Sequence, residues 1–182
     1  MPSPATIERV ISHLFQGVEG SSPLETYAIL DAARDDLIYP KLAPFGPEDL
    51  CLYRGDKAIE LAAVAPYLVN LQRDDSFTQW LLVNGWGKSW GIFLQSSASF
   101  EELHRHFRKF LMAHDEEGTP LYFRYYDPRV LRVYLPTCNP SELRILFGPV
   151  DHYWVEGREE TRLIQFSVKA GSPVVENVIH LS

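Results

Sequence analysis

The chain has 182 residues, of which 46% are hydrophobic and 23% are charged, as is typical of a folded domain with a sizeable core. Its formal net charge of −7 argues against general nucleic-acid binding, which needs a basic surface to displace counterions from phosphates. No apolar run approaches the roughly 20 residues that a membrane-spanning helix requires, so the composition excludes membrane proteins of that class.

The first two thirds of the chain alternate between helical and strand-like patterns. Apolar runs predict strands at residues 27–30, 50–53, 67–71 and 89–94. Helical spacing or helix-capping residues predict helices at 4–17, 37–42, 77–84 and 100–114, the last of which begins with a capping box of Ser99 and Glu102. The segments 17–23 and 43–49 are predicted to be a linker and a loop. This alternation favours an α/β domain in which helices cover a mixed sheet.

The segment 121–149 carries dense local signals. Residues 121–125 alternate as a strand, and Asp127 followed by Pro128 is typical of a helix start. Pro136 must end that helix because proline lacks the amide hydrogen and its ring clashes one turn back. Asn139 and Pro140 then repeat the start signal. We therefore predict a strand and two short helices, at 129–135 and 141–147.

The last third continues with strand patterns. Residues 153–156 and 163–168 read as two strands joined by a charged turn at 157–160. Residues 174–181 alternate weakly and are read either as an edge strand or as an extended segment. We see no internal repeat and no low-complexity segment in the chain. The whole chain, 1–182, is thus predicted to be one α/β domain, with paired short helices and a hairpin in its last third.

Arginines and tyrosines cluster around the first of the paired helices. One interpretation is structural: the guanidinium groups pair with carboxylates such as Asp127 or Asp31 and stack on tyrosines. The other is a recognition surface, because Arg and Tyr often anchor protein interfaces. Strand alternation would point Arg124 and Tyr126 outward, and Arg129 and Arg132 would share one side of the helix. The candidate partner-binding residues are Arg124, Tyr126, Arg129, Arg132 and Tyr134.

No group of residues meets the requirements of a catalytic or metal site. His104 and His106 lie two apart on a predicted helix, so they cannot jointly hold a metal ion, and we expect both to face solvent. The GWGKSWG segment from Gly85 runs from helix to strand and lacks the spacing of a phosphate-binding loop, so we interpret it as a turn whose tryptophans pack on the core or its rim. Asp151 and His152 have no visible nucleophile. We expect no catalytic residue, no metal and no cofactor.

Two further features concern the cellular compartment. Cys51 and Cys138 show no metal-ligand spacing and are interpreted as free thiols in a reducing environment. The first residues lack the positive start and continuous apolar run of a secretion signal. The sequence therefore predicts a cytoplasmic protein.

Four sequence strings, in order, resemble one bacterial family. They are TYAILDAARDD from Thr26, LAAVAPYLVNL from Leu61, GWGKSWGIFLQSS from Gly85, and FRYYDPRVL from Phe123 followed by LP and LFGPV. The family is catalogued as a domain of unknown function, and its members act as adaptors, or chaperones, in type VI secretion. The resemblance covers about 27–154 and leaves a variable tail at 155–182.

The resemblance implies a non-enzymatic adaptor. Its partners would be a toxic effector protein and the secretion spike protein, onto which it helps to load the effector, and neither nucleic acid nor membrane is implied. The alternative from the residues alone is a small cytoplasmic hydrolase or nucleotide-binding enzyme with an active site that the sequence does not reveal.

Overall fold

The computed structural model describes residues 2–17, 23–45, 49–114, 117–169 and 171–181. The helices are α1 (Pro4–Leu14), α2 (Ile38–Phe45), α3 (Asp56–Glu60), α4 (Ser76–Gly85), α5 (Phe100–Phe107), α6 (Pro128–Tyr134) and α7 (Pro140–Phe147), with short 3₁₀ turns at Ala32–Arg34, Ala62–Val64 and Leu135–Thr137. The strands are β1 (Glu25–Asp31), β2 (Asp49–Cys51), β3 (Pro66–Leu71), β4 (Gly91–Ser96), β5 (Met112–His114), β6 (Pro120–Tyr122), β7 (His152–Glu156), β8 (Arg162–Val168) and β9 (Val174–His180). No helix in these ranges is long and apolar enough to cross a bilayer.

Seven strands form one sheet in the order β2-β3-β1-β4-β7-β8-β9, and β5 pairs with β6 in a separate ribbon. The predicted α/β class is confirmed. Every pairing among the described strands is antiparallel, however, where a mixed sheet was expected. Antiparallel neighbours can be joined at one end of the sheet, so the intervening helices are excursions onto its faces and not crossovers between parallel strands.

Helices cover both faces of the sheet. Alternate residues of β1 show the division, because Ala28 and Leu30 belong to one buried cluster and Tyr27 and Ile29 to the other. The first cluster contains the apolar sides of α1, α2 and α4, and the second contains those of α5, α6 and α7. The result is a three-layer domain whose central strands are buried on both sides.

The predicted helix starts are confirmed where they rest on caps. Ser99 and Glu102 form a capping box at α5, and Asn139 and Glu142 form another at α7. The Asp127 carboxylate accepts the N–H of Arg129 at the start of α6. These interactions connect residues at most three apart, which is why the sequence reveals them.

Two predictions in the middle of the chain were wrong in their extent. The helix predicted at 100–114 ends at Phe107, and the chain turns so that the Tyr125 hydroxyl donates to the Phe107 carbonyl. The strand predicted at 121–125 is the three-residue, exposed β6, which among the described strands pairs with β5 and lies outside the seven-stranded sheet. Arg124 therefore does not lie on a central strand. The predicted linker and loop fall partly on residues 18–22 and 46–48, which lie outside the described residues, and α2 runs on to Phe45.

Candidate partner-binding groove

The N-terminus of α6 fixes the first of the predicted arginines. Asp127 caps the helix and also receives three side-chain hydrogen bonds from Arg129, with Nε to Oδ1 at 3.0 Å, Nε to Oδ2 at 3.2 Å and Nη2 to Oδ2 at 2.6 Å. Burial raises the pKa of Asp127, but the hydrogen bonds from Arg129 outweigh it and hold that pKa below its usual value. The forked pair leaves half of the Arg129 side chain exposed, so this guanidinium is held rigid and still faces solvent.

Arg132 lies one turn further along α6, on the same side. Its Nη1 donates a 2.7 Å hydrogen bond to the backbone carbonyl of Glu156, the last residue of β7. Burial lowers the pKa of Arg132, against the favourable charge of Glu156 nearby. The side chain thus joins a helix of one layer to the end of a central strand.

The Glu156 carboxylate is held from the other face of the sheet. Its Oε2 accepts the N–H of Gly87 at 2.7 Å, and its Oε1 accepts the N–H and hydroxyl of Ser89 at 2.8 and 3.0 Å. Burial raises the pKa of Glu156, whereas these hydrogen bonds and the charge of Arg132 lower it and offset part of the rise. Glu156 is therefore a buried acid, fixed by its carboxylate on one side and by its carbonyl on the other.

The GWGKSWG segment supplies these donors because of its backbone shape. Gly87 has φ +83°, and Ser89 is the non-glycine residue with positive φ, at +57°, among the described residues. This turn directs the N–H groups of Gly87 and Ser89 at one point, whereas the N–H of Lys88 between them donates to the Gly85 carbonyl. Converging backbone N–H groups bind anions in many proteins. Here an internal carboxylate occupies that point. Trp86 and Trp90 are buried in the adjoining core, which confirms their predicted packing role.

A groove of about 660 Å³ opens beside Glu156. One wall is α6, with Arg129, Arg132 and the 61% exposed Val133. The opposite side is the turn between β7 and β8, and Ile164 of β8 and Val178 of β9 line the same space. The groove combines an apolar base with four arginines, at 129, 132, 158 and 162, and with acidic groups of Glu159, Glu160 and Glu176 on its rim. Such a mixture of Arg and apolar side chains is typical of protein-binding surfaces.

The other predicted residues lie elsewhere. Tyr126 is 4% exposed, which removes it from the candidate surface, because the chain at this point is no longer a strand with alternating faces. Arg124 is exposed but does not line the groove. Tyr134, 37% exposed, packs edge to face on Phe123 with ring centroids 4.8 Å apart, in a separate apolar depression. The structure thus brings together only Arg129 and Arg132 of the five.

Sequence reasoning missed the residues that complete the groove. Arg158 lies in the turn predicted as a charged hairpin, and Arg162, Glu176 and Val178 come from the two strands that follow it. Only the pairing register of β7, β8 and β9 places them beside α6. A local pattern contains no signal of that register.

The histidines do not form a site in the described residues. His106 is buried, and its Nε2 lies 3.0 Å from the Leu146 carbonyl, so the expectation that it faces solvent was wrong. His104 is half-buried with Nε2 3.2 Å from the Cys51 carbonyl. His114, placed by the sequence near a helix end, belongs to β5. Within the described ranges, no three His, Cys, Asp or Glu side chains are grouped as metal ligands would be.

Comparison with known proteins identifies the family. A family model described as Domain of unknown function (DUF4123) matches residues 26–144. The chain belongs to this family. Searches of curated proteins and of solved structures found no match.

The residues matched by the family model supply one part of the groove lining, and later residues supply the other. Gly87, Ser89, Arg129 and Arg132 lie within the matched residues, whereas Glu156 and everything contributed by the β7–β8 turn, β8 and β9 follow the matched region. The three last strands nevertheless continue the same sheet, and β7 pairs directly with β4. The groove is therefore a joint between the family domain and its C-terminal extension.

Proposed function

We propose that this protein is a non-enzymatic adaptor of the cytoplasm that binds a type VI secretion effector and helps to load it onto the spike protein. Membership of the family supports the proposal together with the four sequence strings that resemble known adaptors. The observation that carries it is the groove, in which guanidinium groups are fixed beside an apolar base.

The groove is suited to capture a protein segment. Arg129 and Arg132 are anchored within the domain by Asp127 and by the Glu156 carbonyl, so little side-chain freedom is lost when a partner binds. Guanidinium groups donate planar, paired hydrogen bonds to carboxylates and backbone carbonyls. Acidic residues on the same rim repel segments of uniformly negative charge, which gives selectivity. We therefore expect the effector segment to combine an apolar anchor with a limited number of acidic groups.

Charge reversal at Arg158 tests this proposal. The residue is exposed on the groove rim, so Arg158→Glu should leave the melting temperature close to the parent value. It should reduce co-purification of the effector when adaptor, effector and spike are expressed together, because it adds repulsion where the partner carries acid. The matched control is Arg73→Glu, an exposed arginine in the turn between β3 and α4.

Full retention of the effector by both variants would remove the groove from the proposed binding surface. Equal loss in both variants would show a general charge effect and would also contradict the assignment. Turnover of ester or phosphate substrates by the purified protein would contradict its non-enzymatic character.

A further inference from the structure

Strand β9 forms one edge of the sheet, and its outward backbone N–H and C=O groups have no strand partner among the described residues. It runs for seven residues in continuous register with β8, and the described strands place nothing on its outer side. The opposite edge, β2, has only three residues. Edge strands in soluble proteins are usually short or interrupted by proline, lysine or a bulge. The sequence of β9, VVENVIH, contains neither proline nor lysine.

The direction of its free backbone groups follows from two hydrogen bonds. Leu181 N–H donates to the carbonyl of Thr161, so this opposed pair is hydrogen-bonded between the two strands. In an antiparallel ladder, hydrogen-bonded pairs alternate with non-bonded ones. Odd-numbered residues of β9 therefore direct N–H and C=O towards β8, and even-numbered ones direct them outward. The hydrogen bond from Gly157 N–H to the Arg162 carbonyl shows that even-numbered residues of β8 direct their backbone groups towards β7. Odd-numbered residues of β8, such as Thr161, therefore face β9, which agrees with this assignment.

The outward-directed residues carry a self-complementary set of side chains. Glu176, Val178 and His180 are all exposed and all lie on the same face, two residues apart. Placed antiparallel against a second copy with Val178 opposite Val178, Glu176 lies opposite His180 on each side. A carboxylate opposite an imidazole and valine opposite valine are favourable cross-strand pairs.

Alternation of the backbone restricts the register. If the second β9 strand were shifted by one residue, the outward N–H and C=O groups of one strand would lie opposite residues whose own groups point back to β8, and no hydrogen-bonded ladder would form. One allowed register puts Glu176 opposite Glu176, which is repulsive, and another puts Glu176 opposite Val178, which loses the imidazole. The register centred on Val178 also places Val175, 48% exposed, opposite the buried Leu181 on the other face.

We propose that two copies of this chain associate through antiparallel pairing of their β9 strands, centred on Val178, to form one continuous sheet across the dimer. The pairing satisfies the outward N–H and C=O groups of Glu176, Val178 and His180 and covers the valine that is 41% exposed at its centre. This is an isologous contact, in which the same surface serves both subunits. The proposed contact does not rest on the adaptor function, although Glu176 and Val178 also line the groove, so it is measured on the chain alone, without effector or spike.

A pair of proline substitutions tests the contact. Val178→Pro removes an outward N–H that the β8 ladder does not use, whereas Asn177→Pro removes an N–H that β8 requires. In sedimentation equilibrium over a wide range of concentration, the parent should be dimeric at high concentration and Val178→Pro monomeric at every concentration. Val178→Pro should melt close to the parent, and Asn177→Pro should melt lower. Val178→Thr, which keeps the N–H and the branched side chain, should remain dimeric.

A charge exchange keeps the proposal testable if the proline variant does not fold. Glu176→Lys should weaken the dimer by placing a cation opposite His180, and the double variant Glu176→Lys with His180→Glu should restore it. Residue-resolved amide exchange should show Glu176, Val178 and His180 becoming protected on dimerisation, with Asn177 and Ile179 protected throughout.

Three results would overturn the proposal. The first is a parent chain that is monomeric at all concentrations, and the second is a dimer that survives Val178→Pro. The third is a monomer whose β9 amides become protected only when effector or spike is added, which would assign this edge to that partner.

Discussion

The centre of the sheet and its open end are built differently. At the centre, β1 has helices on both faces, and its residues from Thr26 to Asp31 are all buried. At the open end, every residue of β9 is exposed or half-exposed, although this strand is as long as β1 and pairs with β8 along its whole length. Backbone pairing alone does not decide which strands stabilise the domain. Helical cover does: Leu163, Ile164 and Phe166 of β8 are still buried, whereas β9 beyond them is left available for contacts with other molecules.

Truncation in the covered layer should have the largest effect on stability. Leu131 of α6 is buried in the cluster beneath α5 to α7, so Leu131→Ala should lower the free energy of unfolding by about 2–5 kcal/mol, as loss of buried methyl groups does. Phe123, half-buried beside Tyr134, is the matched comparison, and Phe123→Ala should cost clearly less. Denaturant titration of both variants measures the difference. Equal losses of unfolding free energy in the two variants would mean that Phe123 contributes as much to the core as Leu131.

Substitution of Glu156, which lies between the covered centre and the open end of the sheet, should have an intermediate effect on stability. Glu156→Gln replaces one carboxylate oxygen by an amide that cannot accept the N–H of Gly87. Leaving such a donor without its acceptor should lower the free energy of unfolding by about 1–3 kcal/mol. Chemical denaturation near neutral pH measures this value, with the exposed Glu101→Gln of α5 as the control. A cost no larger than that of the control would mean that the carboxylate does not hold the turn.

The same variant has a defined pH dependence. Burial raises the folded-state pKa of Glu156 above the unfolded value of 4.5, so between these two pKa values the folded protein binds more protons than the unfolded one. The contribution of Glu156 to stability is therefore full below pH 4.5 and falls as the pH rises through the folded pKa. The difference in unfolding free energy between parent and Glu156→Gln should shrink over that interval. A difference that grows with pH would reverse the assigned direction of the shift.

The open end should tolerate substitution best. Val175→Thr changes an exposed, branched residue of β9 to another of similar shape and strand preference, so it should alter the unfolding free energy by less than about 0.5 kcal/mol. The matched comparison is Val69→Thr in β3, where the side chain is fully buried and a hydroxyl must be desolvated. Thermal melts of the two variants should separate clearly. Similar losses in both would mean that the face of β9 that carries Val175 is covered in solution.

The helix starts could be predicted from the sequence because the residues that determine them are neighbours in the chain. The caps at Ser99, Asp127 and Asn139 were confirmed because each acts over a few residues. The strand predicted at 121–125 ends at Tyr122, because its alternation did not reveal that the chain would turn to place Tyr125 against Phe107. Packing between distant segments overrode the local strand preference.

The same limit applies to the candidate groove. Arg129 and Arg132 could be paired from helical spacing alone, but their neighbours Arg162 and Val178 depend on the register of three strands. The internal role of Glu156 was equally hidden, because its partners Gly87 and Ser89 lie far away in the sequence. The GWGKSWG segment alone indicated a turn and did not indicate which carboxylate would fill it.

The indole of Trp86 is connected to the groove by a single hydrogen bond. Its Nε1–H donates to the carbonyl of Glu160 at 2.7 Å, and Glu160 belongs to the turn that forms the groove rim. Indole emission responds to the polarity and hydrogen bonding around its N–H, so any occupant that displaces this turn should change the fluorescence of a buried tryptophan. The protein thus carries an intrinsic optical reporter of groove occupancy, and Trp86→Phe would silence it, which allows binding to be followed without an attached label.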